Sequence, residues 1–229
     1  MSAIRIIRLT GMVALAVIVI AMWMVIVSRQ FEPTELPGRF QNRVMAMEFV
    51  DSVPSVGLIL GPDVQHNREV MRKVLLLDFI WIGSYALLYF MVGWLLSRRH
   101  CPWAAYLATV AVVSGLAGAV FDIKENRAIL MILEGSEVTQ SMVNSVRDAA
   151  LVKWTLSFVA MAILATAFYG LTKKASWIGY TFTLTAVIGL AGLWYHPWIG
   201  VAAIPMLLGL LALSLISFVW PQDLKEPYC

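Results

Sequence analysis

Charge is scarce in this sequence. Only 14% of its 229 residues are Asp, Glu, Lys or Arg, while 60% are hydrophobic and the mean hydropathy is +0.79. Soluble domains run nearer about 25% charged and about 45–50% apolar, so a water-soluble globule of this size has no interior large enough to hide the excess. The formal net charge of +3 is small and dispersed, which leaves no basic surface for a nucleic acid. Cysteine is nearly absent as well. Cys101 and Cys229 lie beyond the ends of different apolar segments and are read as free thiols on the cytoplasmic side, which excludes a disulfide-stapled scaffold. Also missing are a Walker loop, a dinucleotide fingerprint, a G-x-S-x-G elbow and an H-E-x-x-H helix, so the common nucleotide, serine-hydrolase and zincin chemistries have no motif here.

Long apolar runs are abundant instead. Counted at about 20 residues per crossing, six fit: residues of about 9–28, 74–97, 104–133, 151–171, 177–194 and 199–219. The first run is longer than a signal-peptide core and has no A-x-A-like closure before Arg29, so it reads as a retained span. The expected fold is all-α, a single six-helix transmembrane bundle. Basic residues gather in alternate short connections, at Arg5 and Arg8, Arg98 and Arg99, and Lys173 and Lys174. Positive residues are retained on the cytoplasmic side, which predicts both termini inside and a multi-pass protein of the inner membrane. Residues 30–72 then form an external loop. Within it, VMAMEFVDSVPSVGLILG is apolar but interrupted by Glu48, Asp51 and Pro54, and predicts one short amphipathic or re-entrant helix around residues 43–60 lying over the bundle.

Charges inside the spans are few, and their depth is informative. A carboxylate at mid-bilayer costs at least about 2.5 kcal/mol, so such groups face a protein interior or a wet cavity. The topology sets Asp78 in the second span, Asp122 in the third and Lys153 in the fourth at one level near the outer boundary. At about 100° per residue, Asp122, Glu125 and Asn126 of F-D-I-K-E-N-R share a face and Lys124 points away. That face continues through Gly118, Gly115 and Ala111, small residues that let membrane helices approach closely. In the second span Asp78, Ile82, Tyr85 and Tyr89 form one stripe.

The candidate ligand-binding set is therefore Glu48, Asp51, Asp78, Tyr85, Asp122, Glu125, Asn126 and Lys153, with Arg127 as a second cation for the acids. Such a chamber suits a lipid headgroup, a small cation or a proton, and no cofactor is identified. A membrane-embedded lipid hydrolase or transferase would use the same carboxylates, with or without a metal and with His66 or His196 as added ligands. An accessory subunit of a membrane complex, or a homo-oligomer, would use the charges for docking. Trp81, Trp103, Trp154, Trp177, Trp194 and Trp198 near span ends read as interfacial anchors, and the twelve scattered methionines as packing.

MEFVDSVPSVGLILG, LLLDFIWIGSYALLYF and AGAVFDIKENRAIL together resemble an uncharacterised group of bacterial polytopic membrane proteins. In that group an acidic residue in an apolar external segment precedes an L-D-F-x-x-x-x-x-Y span and a D-x-x-E-N span. The resemblance covers roughly residues 45–133 and implies no ligand or activity. Hydrolases similar to alkaline ceramidases bind zinc through several histidines and an aspartate. With only His66, His100 and His196, this chain lacks their paired-histidine motif.

Overall fold

The structure is a computed structural model that describes residues 3–33, 35–36, 40, 42–97, 102–135, 137–169 and 171–224. Arg98, Arg99, His100, Cys101 and Cys229 lie outside the described residues. Six long helices are apolar enough to cross a membrane, and the described residues contain no strand. They are α1 (Ala3–Ser28), α4 (Val64–Ser97), α5 (Pro102–Glu134), α6 (Gln140–Tyr169), α7 (Lys173–Gly192) and α8 (Pro197–Val219). Two short helices, α2 (Arg43–Glu48) and α3 (Val53–Leu60), fall between α1 and α4. A 3-10 turn, Pro221–Leu224, follows α8.

Each long helix packs on its chain neighbours, and α1 packs on α8, so the spans close into a ring in the order α1, α4, α5, α6, α7, α8. Small residues set the closeness of that ring. A Cβ on Gly115 of α5 would lie 2.6 Å from the Tyr89 ring of α4, and one on Gly11 of α1 would lie 2.6 Å from Ser217 Cβ of α8. Any larger side chain at either position would push two helices apart.

The helices extend beyond the apolar runs. Where the hydropathy places a start at residue 74, α4 begins at Val64, because Asp63 accepts from the His66 amide at 3.0 Å and caps the added turns. Likewise α6 begins at Gln140 rather than 151, capped by Thr139. Its polar first turns bury Val143, Val146 and Ala150 at helical spacing, a stripe too thin to register in an averaged window. The expected single helix over residues 43–60 is two, broken at Phe49–Ser52 with Pro54 in the first turn of α3.

Both short helices form a cap over one end of the ring. Ala46, Met47, Val56, Ile59 and Leu60 bury themselves against the ends of α4, α5 and α6, where Met71, Leu75, Ile129, Ile132 and Val146 meet them. Arg43 fastens the cap. Its guanidinium, 5% exposed, donates to the Ile59 carbonyl at 2.7 Å, the Leu60 carbonyl at 3.0 Å and the Glu32 carbonyl. A cation thus satisfies the orphan carbonyls at the C-terminus of α3, where the helix dipole favours positive charge. Asn67 of α4 also donates to the Leu60 carbonyl, at 2.7 Å. Beside them the chain turns at Gly61 with φ +68°, a conformation that favours glycine.

Replacing Arg43 by Met leaves three carbonyls without this donor, at about 1–3 kcal/mol for each that stays dry. The expected result for Arg43→Met is cap opening by at least about 2 kcal/mol. Amide exchange in micelles should accelerate over residues 43–60 and stay unchanged in α7 and α8.

Candidate functional site

The F-D-I-K-E-N-R stretch occupies the cap-side end of α5 and turns as its spacing dictates. Asp122, Glu125 and Asn126 are 2%, 0% and 2% exposed, whereas Lys124 and Arg127 are exposed on the opposite side. Arg127 therefore does not supply the second cation expected for the acids. Removal of three polar groups from both water and lipid requires partners close by.

Those partners converge from three other elements. Lys153 of α6, 5% exposed, reaches Glu125 at 2.8 Å, Asp122 at 3.2 Å and Glu48 of α2 at 3.3 Å. An ammonium has three donors, and three carboxylates stand around this one. Tyr85 of α4 donates its hydroxyl to the other Asp122 oxygen at 2.9 Å. The Asn126 amide donates to Asp78 of α4 at 2.5 Å. Trp154 Nε1 donates to Glu48 at 2.8 Å, and the Lys153 ammonium lies 4.9 Å from the Trp154 ring centre. Gly118 allows this crossing, since a Cβ there would meet Ser157 Oγ at 3.2 Å and the Lys153 carbonyl at 3.5 Å.

Seven of the eight candidate residues thus form one cluster. Asp51 stands apart, exposed at the start of α3, where it accepts from Ser55 at 2.9 Å. Hydrogen bonds from the Ser55 and Ser52 hydroxyls hold its carboxyl below the usual aspartate range. His66 is exposed and bonded to the Gln30 carbonyl. His196 stacks on Phe49 with ring centres 4.2 Å apart, and burial together with nearby Arg147 lowers its proton affinity. Among the described residues no three of His, Cys, Asp and Glu form a group that could hold a metal ion, and Lys153 stands where the carboxylates converge.

One member, Trp154, is absent from the candidate set, and Glu48, which is in it, arrives by a contact that the spans alone do not show. Trp154 resembles an interfacial anchor in the sequence but turns inward to Glu48. The arrival of Glu48 itself depends on the cap folding over α6, a contact across 106 positions that local periodicity does not carry.

Four carboxyl groups, Glu48, Asp78, Asp122 and Glu125, face one ammonium, so full ionisation would leave three negative charges in excess (four minus one). Asp78 is the odd one out. Half-buried, it has one hydrogen bond, from Asn126, and among the described residues no cation in contact. It looks into a cavity of about 570 Å³ between the helices of the ring. Glu48, Asp78, Asp122 and Lys153 line its capped end together with Ser28, Arg29 and Asn42, and the rest is mostly apolar, with Leu88, Leu164, Leu210 and Leu213 among its walls. A mostly apolar hollow with a few convergent polar groups is the usual form of a small-molecule site.

Loss of Lys153 would strand buried carboxylates, at about 3–5 kcal/mol. Lys153→Met is expected to lower the unfolding free energy in micelles by that amount, while exposed Lys124→Met should change it by less than about 0.5 kcal/mol. A second expectation concerns pH. Burial pushes the Glu48 carboxyl above its ordinary value of 4.5, against the pull of Lys153. The folded chain then holds this proton more tightly than the unfolded chain, so the contribution of Glu48 to stability falls as pH rises from 4.5 through the raised value. Melting curves across that range should fall less steeply with pH for Glu48→Gln than for the native protein.

Comparisons with known protein families, with curated proteins and with solved structures find no match to this chain. What its own residues establish is an integral membrane protein of six apolar helices, with a buried charge cluster at one end of a central cavity.

Proposed function

We propose that this protein binds, and moves within or across the membrane, a positively charged group: the amine of a lipid headgroup or a small cation. The observation that carries the proposal is Asp78, a carboxyl group with no cation in contact among the described residues, facing the cavity as one of four acids around a single ammonium. A cation brought beside Asp78 favours the ionised form of its carboxyl, and the low-dielectric surroundings strengthen the attraction between them. The same carboxylates are suited to proton exchange with the ligand.

On this reading the capped end faces outward and the protein resides in the inner membrane. Support comes from Arg5, Arg8, Lys173 and Lys174, all near helix ends opposite the cap. All four carboxylates fall within residues 45–133, the part that resembles the bacterial group, and we read the chamber as a feature of that group.

The test is thermal stabilisation of the purified protein in micelles by ethanolamine, compared with neutral ethylene glycol. Mass action requires a rise in melting temperature that grows with ethanolamine concentration. Asp78→Asn, which keeps an acceptor for Asn126, should weaken the effect at least about tenfold, or about 1.4 kcal/mol. An equal response to both compounds, or an unchanged response in Asp78→Asn, would remove the proposal.

A further inference from the structure

The ring has a gap in its wall. Helices α1 and α8 are in close contact in the half remote from the cap, where Gly11 lies against Ser214 and Ser217 and where Ala14 and Val17 are fully buried. Past Val17 the helices part. Met22, Val25 and Ile26 are 59%, 54% and 59% exposed, yet all three line the central cavity. A side chain can do both only where the cavity opens to the outside. Across the gap, Ala203, Met206 and Leu207 of α8 line the same cavity, while Val27 holds α1 to Val70 and Val74 of α4. The opening runs along roughly nine residues of α1, about 13 Å, at the depth of the hydrocarbon.

Resting on the charge reading above, we propose that the ligand is an amine-headed lipid that slides in sideways from the bilayer through the slot between α1 and α8. The flanks of that slot are apolar, Met22, Val25 and Ile26 on α1 facing Ala203, Met206 and Leu207 on α8, so they pass a hydrocarbon chain, and Ser28 and Arg29 stand at its capped end. The axial route is covered by α2, whose Val44 and Met45 roof the cavity.

Two buried donors point to the rest of the ligand. Among the described residues Trp81 Nε1 and Tyr89 Oη have no hydrogen-bond partner, although Tyr89 is only 8% exposed, and both residues line the cavity. A buried donor left unpaired is costly, so each one marks a place for an acceptor atom. Trp81 is one turn from Asp78, and the Tyr89 side chain leans back towards the cap, as helical side chains do. A phospholipid supplies what the cavity lacks: an amine for Asp78, phosphate and ester oxygens for Trp81 and Tyr89, and an acyl chain for the leucine-lined shaft.

Photolabelling separates this proposal from the one on which it rests. The full-length protein is reconstituted in phosphatidylglycerol vesicles with a trace of phosphatidylethanolamine that carries a diazirine midway along one chain. Adducts are expected on Leu88, Val92, Leu210 or Leu213, buried residues beyond the reach of surrounding lipid. A phosphatidylglycerol with the same diazirine chain should label only lipid-facing residues such as Phe90 and Leu208. Ala203→Trp, which fills the slot, should reduce interior adducts at least tenfold, with Met22→Trp narrowing the slot from the α1 side as an independent variant. Adducts confined to Phe90, Leu208 and their like overturn sideways access, even if ethanolamine still stabilises the protein through Asp78. Interior adducts of equal yield from both lipids overturn the amine headgroup. Interior labelling that neither tryptophan variant reduces overturns the slot as the route.

Discussion

One buried ammonium organises this protein. Lys153 of α6 gathers one carboxylate from α2 and two from α5, and each of those acids would be untenable at its depth without it. Because Glu48 belongs to the cap and Asp122 and Glu125 to a span, the cluster also decides where the cap sits. Its charges do not balance, however. The surplus acid, Asp78, is turned towards the cavity rather than towards Lys153, and this asymmetry distinguishes the cluster from a plain interhelical ion pair.

The cap depends on a second buried cation with a different task. Arg43 meets backbone carbonyls rather than acids, so it fixes the shape of the α2–α3 pair without adding to the charge in the chamber. Together the two cations hold a polar lid over a hollow whose walls are apolar. The wall is sealed where small residues let α1 and α8 touch and is open where α1 carries Met22, Val25 and Ile26 instead. The proposed ligand and its proposed route rest on one arrangement: ionisable groups concentrated at the roof, apolar side chains along the shaft and a slot on one side.

Much of this is written locally in the sequence. Hydropathy marks the six spans, and the turn angle of a helix places Asp122, Glu125 and Asn126 on one face with Lys124 on the other. Alternating topology then brings Asp78 and Lys153 to the same depth. The illegible features are those whose cause is not local. Hydropathy averages hide the polar first turns of α4 and α6, because Val143 and Val146 are buried among hydrophilic neighbours. Arg43 looks like any loop charge until the carbonyls of α3 surround it, and Trp81 and Trp154 look like membrane anchors until their rings turn inward. Arg127 shows the opposite failure: next to Asn126 in the chain, it is rotated out of the site by a single helical step.

The account stands on Lys153 coupling cap to spans, and a double-mutant cycle measures that directly. Unfolding free energies of the native protein, Lys153→Met, Glu48→Gln and the double variant would be compared in one micelle system. A shared ion pair predicts that the two losses fall short of additivity by at least about 1 kcal/mol. Additivity within about 0.5 kcal/mol would mean that the two residues do not interact, and the chamber described here would lose its roof.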